Sequence, residues 1–373
     1  MKTRSQGIYY LFVLRPMMGI ALALLSWNVY GTDTTIIHIQ KELQLFNELH
    51  LHHHEVLQDR VNGFLEKDLQ TLSNKELRRG MLEILQLKQV EKNYQEDILK
   101  IRFAKSIELL RLLYEKLLSI DHHFSSLNTH EHIRSLTNPN DYASFKSLQS
   151  ELNKKQEKKF NFEFPELLKS NTYLSAAYSL ISNLFSGGVS KKSENFKQIS
   201  CILDFTVSMH SELNIIYFET EFLKDANQVL KKECAELFKE CLKPAGYYQS
   251  LETCRESDDW EKAMAKIHYF LKEMEDLAAG DKAQIDLQFN IDRVVDFISK
   301  YNEFVSQGNK YYGKFEKIIS SYQNKDICTQ ELPVQFNELQ SEIKNTIKKF
   351  NSAYNLPELK GSKLKELMYG NVY

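Results

Sequence analysis

Residues 73–120 read SNKELRRGMLEILQLKQVEKNYQEDILKIRFAKSIELLRLLYEKLLSI, and they decide the fold class. Ser73-Asn74-Lys75-Glu76 has the form of a capping box, in which a hydroxyl and a carboxylate three residues apart satisfy each other's backbone donors. After Gly80 the stretch holds neither Gly nor Pro, so nothing breaks the helix before Ile120. At 1.5 Å per residue that is a rod of about 70 Å. A helix this long is marginal alone and must bury its apolar stripe against other helices.

The same reading extends in both directions. Asp33-Thr34-Thr35 offers N-cap residues for a helix to about Leu72, with the stripe Ile39, Leu43, Phe46, His50, His53, Leu57 and Phe64. Residues 121–141 carry Ser, Asn, Thr, His and Pro139 and read as a loop, followed by a short helix from Tyr142 to Lys159. Glu194 to Leu242 gives a second long helix, striped by Ile202, Phe205, Met209, Leu213, Ile216, Leu223, Leu230 and Leu237. Further helices run from Asp258 to Gly280, from Asp281 to Tyr322 and from Pro333 to about Tyr354. With 13 Gly and 6 Pro in 373 residues, turn-rich β architecture is disfavoured. The expectation is an all-α, elongated helical bundle with several long, coiled-coil-like antiparallel helices. Its expected divisions are a leader at 1–31, a long hairpin plus short helix at 32–160, an uncharged segment at 161–193 and a C-terminal bundle at 194–373.

Residues 1–31 set the expected compartment. Lys2 and Arg4 precede the apolar runs 8–14 and 17–25, and Val29 and Gly31 occupy the −3 and −1 positions of a cleavage site. That is the layout of a secretory signal peptide, so the chain is expected in the periplasm or outside the cell. Retention of the segment as an N-terminal membrane anchor is the alternative, and contact with a membrane would then run through it. The 48 basic and 50 acidic residues are interspersed and leave a net charge of −2. No basic stripe exists to neutralise phosphates, which argues against nucleic acid.

Five cysteines lie at 201, 234, 241, 254 and 328. In an exported chain disulfides are permitted, and Cys241 and Cys254 flank the breaker Pro244-Ala245-Gly246, so they are the candidate pair. The competing reading is that cysteines on an apolar stripe are buried thiols. His50, His53 and His54 are the candidate metal ligands, because imidazoles one turn apart can share an ion. His54-Glu55 lacks the second His of a metalloprotease helix, and no His has Glu three residues before it as in di-iron bundles. No Walker loop, Gly-x-Ser-x-Gly or Gly-x-Gly-x-x-Gly is present, so no catalytic residue and no cofactor is expected.

Residues 170–190, SNTYLSAAYSLISNLFSGGVS, contain no charge. They read as a central packed helix or, through Tyr173, Tyr178, Leu184 and Phe185, as a contact surface for a partner or lipid. The expected function is non-enzymatic: a scaffold or binding module for another envelope or secreted protein, with self-association included among its partners. Long helices before and after an uncharged mid-chain segment are also similar in layout to the α-helical pore-forming toxins of the haemolysin E and Hbl/Nhe type. That resemblance implies an apolar head segment sheltered until it meets a membrane. A histidine-based metal-binding bundle is the remaining alternative.

Overall fold

The structure is a computed structural model, and it describes residues 32–67, 72–143, 145–147, 150, 194–276, 280–323, 334–354, 364 and 368–369. The expected leader 1–31 with its expected cleavage after Gly31, and the segment 170–190, lie outside these residues. The fold is all-α, and the described residues include no strand. In chain order the helices are α1 (Thr32–Leu65), α2 (Asn74–Ser125), α3 (Thr129–Thr137), α4 (Glu194–Leu242), α5 (Leu251–Glu256), α6 (Trp260–Asp276), α7 (Gly280–Gln323) and α8 (Val334–Tyr354). Short 3-10 turns sit at Pro139–Asp141 and Lys243–Ala245.

The capping box at the start of α2 is formed. The Ser73 amide donates to the Glu76 carboxylate at 2.9 Å, and the Glu76 amide donates back to the Ser73 hydroxyl at 3.4 Å. Two expectations about boundaries are corrected. Residues 121–141 are not a loop: α2 runs on to Ser125, and 129–137 form α3, whose Ile133 and Leu136 are buried. The polar composition hid a helix with a short apolar stripe. The sequence reading also missed α5, which Ser250 caps by accepting a hydrogen bond from the Thr253 amide at 3.2 Å.

The chain forms two compact units that interleave segments, and the divisions expected at 160 and 194 border residues outside those described. Unit 1 takes residues 1–115, 231–301 and 356–373; unit 2 takes 116–230 and 302–355. Helices α2, α4 and α7 each supply residues to both.

In unit 1, α1 and the first part of α2 form an antiparallel hairpin. Glu42 pairs with Lys105 (2.8 Å), Asn47 accepts from the Tyr94 hydroxyl (2.6 Å), and Phe64 lies over Gly80, so the partner number falls as the first rises. From Phe103 to Tyr114 almost every side chain of α2 is buried, as expected of a helix enclosed on all sides. The buried residues Cys234, Phe238 and Cys241 of α4, Ile267 and Leu271 of α6, and Ile291, Val294 and Ile298 of α7 belong to this core. Gly246, in the left-handed region at φ 71°, ends the turn after α4, and the Trp260 ring takes Arg111 over its face at 4.5 Å.

Unit 2 centres on aromatic packing. Phe350 of α8 has ring neighbours Phe124, Phe304 and Tyr312 at centroid distances of 6.0, 5.7 and 5.9 Å. Its edge fills the space above Gly308, where an added Cβ would come within 2.2 Å. The Tyr312 hydroxyl shares a hydrogen bond with Thr220 of α4 at 3.0 Å. Asn227 donates to the Leu117 carbonyl at 3.2 Å, tying α4 to α2 inside the core.

Candidate functional site

Of the three metal candidates, the structure joins two. His50 and His54 lie one turn apart on α1, and the Nε2 of each stands 3.8 Å from the Glu91 carboxylate of α2. His50 stacks on Tyr94, with ring centroids 3.7 Å apart and planes 15° from parallel, and burial lowers its pKa more than Glu91 raises it. His53 is not part of this contact. No three His, Cys, Asp or Glu side chains among the described residues are placed to hold a metal ion, and of the expected trio His50, His53 and His54 the structure brings only the first and last together, at a seam contact with Glu91. At 100° per residue His54 stands about 40° round the helix from His50 on one side and His53 about 60° on the other, so the side that meets Glu91 through His50 and His54 turns away from His53. Glu91 and Tyr94 were missed because the sequence does not reveal which turn of α2 faces His50.

The expected pairing of Cys241 with Cys254 is also corrected. Both are free and buried, as is Cys234. Nearness in sequence across Pro244-Ala245-Gly246 does not bring the sulfurs together. The Cys254 thiol is buried near Tyr247, whose hydroxyl donates to Gln249 at 3.1 Å, and Cys234 donates to the Leu110 carbonyl at 3.4 Å. Burial pushes the Cys241 thiol up to about 12, which suppresses the reactive thiolate. Cys201, exposed on α4, is instead disulfide-bonded. The remaining cysteine, Cys328, lies outside the described residues.

The polar centre of unit 2 is Glu342 of α8. It accepts from the Asn128 amide at 2.8 Å and the Thr129 hydroxyl at 3.3 Å, which caps the start of α3 with a negative charge. His132 stands with Nδ1 3.3 Å from Glu342 and Nε2 3.2 Å from Glu338. An open cleft of about 540 Å³ beside it is lined by His123, Ser126, Glu342, Asn345, Lys348 and Lys349. Burial and the Lys349 charge lower the His123 pKa, and its Nε2 is 2.7 Å from the Thr346 hydroxyl. Of these groups, Glu342 binds the start of α3 and His123 binds Thr346 of α8, so the cleft lies at the junction of α3, α8 and the end of α2.

Among their charged and polar surface residues the helices leave several large apolar side chains exposed. In unit 1, Leu45, Leu49 and Val56 of α1 and Met81, Leu82 and Leu85 of α2 are exposed. In unit 2, Ile215, Phe218, Phe222 and Val229 of α4 are exposed. The contact candidates Tyr173, Tyr178, Leu184 and Phe185 lie outside the described residues. No described helix is long and apolar enough to cross a membrane. No family model, curated protein or solved structure matches the chain.

Proposed function

We propose that the chain is an exported, non-enzymatic helical scaffold that binds another envelope or secreted protein through the outward faces of its long helices. The observation that carries this reading is the set of large apolar side chains left exposed in series on α1, α2 and α4. Isolated exposed leucines are ordinary, but series along one helix are where partner helices dock. The secretory layout of residues 1–31 and the disulfide at Cys201 both suit an oxidising compartment.

The test is site-specific photo-crosslinking from Leu85 and from Phe218 in the cells that make the protein. The expected result is a discrete adduct with one other exported protein. Recovery of the uncrosslinked chain alone from both positions would defeat the reading. Leakage of dye-loaded vesicles on addition of the purified chain would favour the pore-forming alternative.

A further inference from the structure

The α4 surface in unit 2 says more about the partner than that one exists. Between Leu213 and Leu230 the helix is apolar on two opposite sides. Leu213, Ile216 and Leu223 are completely buried, while Ile215, Phe218, Phe222 and Val229 are 52%, 50%, 52% and 64% exposed. The spacings of three, four and seven residues place those four on one stripe, the pattern a partner helix reads across a groove.

The charges around this stripe are mostly acidic. From Cys201 to Leu230 the acidic residues are Asp204, Glu212, Glu219, Glu221 and Asp225 against Lys224, and Lys232, one turn beyond Val229, pairs with Glu236 at 3.9 Å. At 100° per residue, Asp204, Glu219 and Asp225 fall on or beside the exposed stripe, and Lys224 falls on the far side of the helix. Lys224 also pairs with Glu221 at 3.8 Å.

We propose that the outward face of α4 from Ile215 to Val229 docks an amphipathic helix of another protein that carries basic residues along its apolar stripe. This rests on the partner-binding reading above and specifies its chemistry. The acidic border selects the occupant. A second copy of the same face would bring like charges together, which costs free energy across an interface. A basic helix offers both an apolar match and complementary charge.

The probe is a fluorescein-labelled 18-residue Leu/Lys helix with Leu at positions i, i+3, i+4 and i+7, titrated into the full chain at low salt. Its Leu/Glu counterpart is the control. The expected result is saturable binding of the Leu/Lys helix that weakens with added salt and little binding of the Leu/Glu helix. The double variant Phe218→Ser/Phe222→Ser should keep its melting temperature and lose at least about tenfold in affinity. Leu82→Ser/Leu85→Ser in unit 1 should bind as the parent does. Equal binding of both peptides, or no binding, would overturn the proposal. So would a parent dimer that Phe218→Ser/Phe222→Ser splits, which assigns the face to a second copy. A large fall in melting temperature in that variant would show the face covered by the chain itself. A crosslinked partner captured from Leu85 and not from Phe218 would leave the scaffold reading standing while this inference fails.

Discussion

Three histidines make the stability of this protein depend on pH in a stated direction. Burial lowers the pKa values of His50, His123 and His268, in the last two with help from Lys349 and Lys105 respectively. The unfolded chain, with histidines near 6.5, therefore takes up protons before the folded one does. Their contribution is fully present above about pH 6.5 and falls away as the pH drops below it toward the lowered values. Melting temperature should fall between pH 7.5 and 5.5, and His50→Gln/His123→Gln/His268→Gln should flatten that slope. A slope unchanged in the triple variant would refute the assignment. Lys105, 2% exposed and paired with Glu42 and Glu108, belongs to the same scale. Lys105→Met should destabilise by about 3–5 kcal/mol in a denaturant melt, because it strands buried carboxylate charge. Adding Glu42→Leu should recover much of the loss. The roles of these residues were only half legible in sequence. His50 stood on a readable stripe, but Glu91, Tyr94 and Glu42 become its neighbours or the neighbours of Lys105 only through the register of a hairpin.

At the scale of the element, caps and stripes carried most of the legible information. The Ser73-Glu76 box, the breaker-free lengths of α2 and α4 and the α4 run Met209, Leu213, Ile216, Leu223, Leu230 and Leu237 are all found as read, the last six buried. Short elements were harder. The six residues of α5 and the nine of α3 offer too few periods for an apolar stripe to stand out, and α3 owes its start to Glu342, about 210 residues away. Two measurements follow from this difference. Ser250→Ala removes a local cap and should cost about 1 kcal/mol. Glu342→Ala removes a charged acceptor from two donors and should cost about 2 kcal/mol. It should also raise amide exchange through α3. Exchange in α3 that stays slow in Glu342→Ala would show that apolar packing alone holds this helix. The outward stripe of α4 was not legible as a surface. Apolar residues on both sides of a helix do not say which side meets the core.

At the scale of the whole chain, the cysteines divide into two chemical classes. Cys234, Cys241 and Cys254 are buried thiols, and Cys201 is oxidised. Without reductant, an alkylating reagent should leave the native protein unmodified at these four positions. Denaturation alone should open three of them, and reduction should add Cys201. Alkylation of Cys201 in the unreduced, denatured chain would remove the disulfide and weaken the case for an oxidising compartment. N-terminal sequencing of the chain purified from the cells that make it and from their medium tests that case separately, with Thr32 as the expected first residue.

The socket at Gly308 has a historical consequence. Phe350 rests where a Cβ on residue 308 would have to be, within 2.2 Å. Neither position can change freely while the other stays as it is. A lineage that acquires Ala at 308 must first, or at once, trade Phe350 for something smaller, and one that shrinks Phe350 first opens a void in the aromatic centre of unit 2. Descendants of a common ancestor should therefore keep Gly with Phe or replace both, and mixed pairs should be rare. The pair is a two-letter word that evolution can rewrite only as a whole.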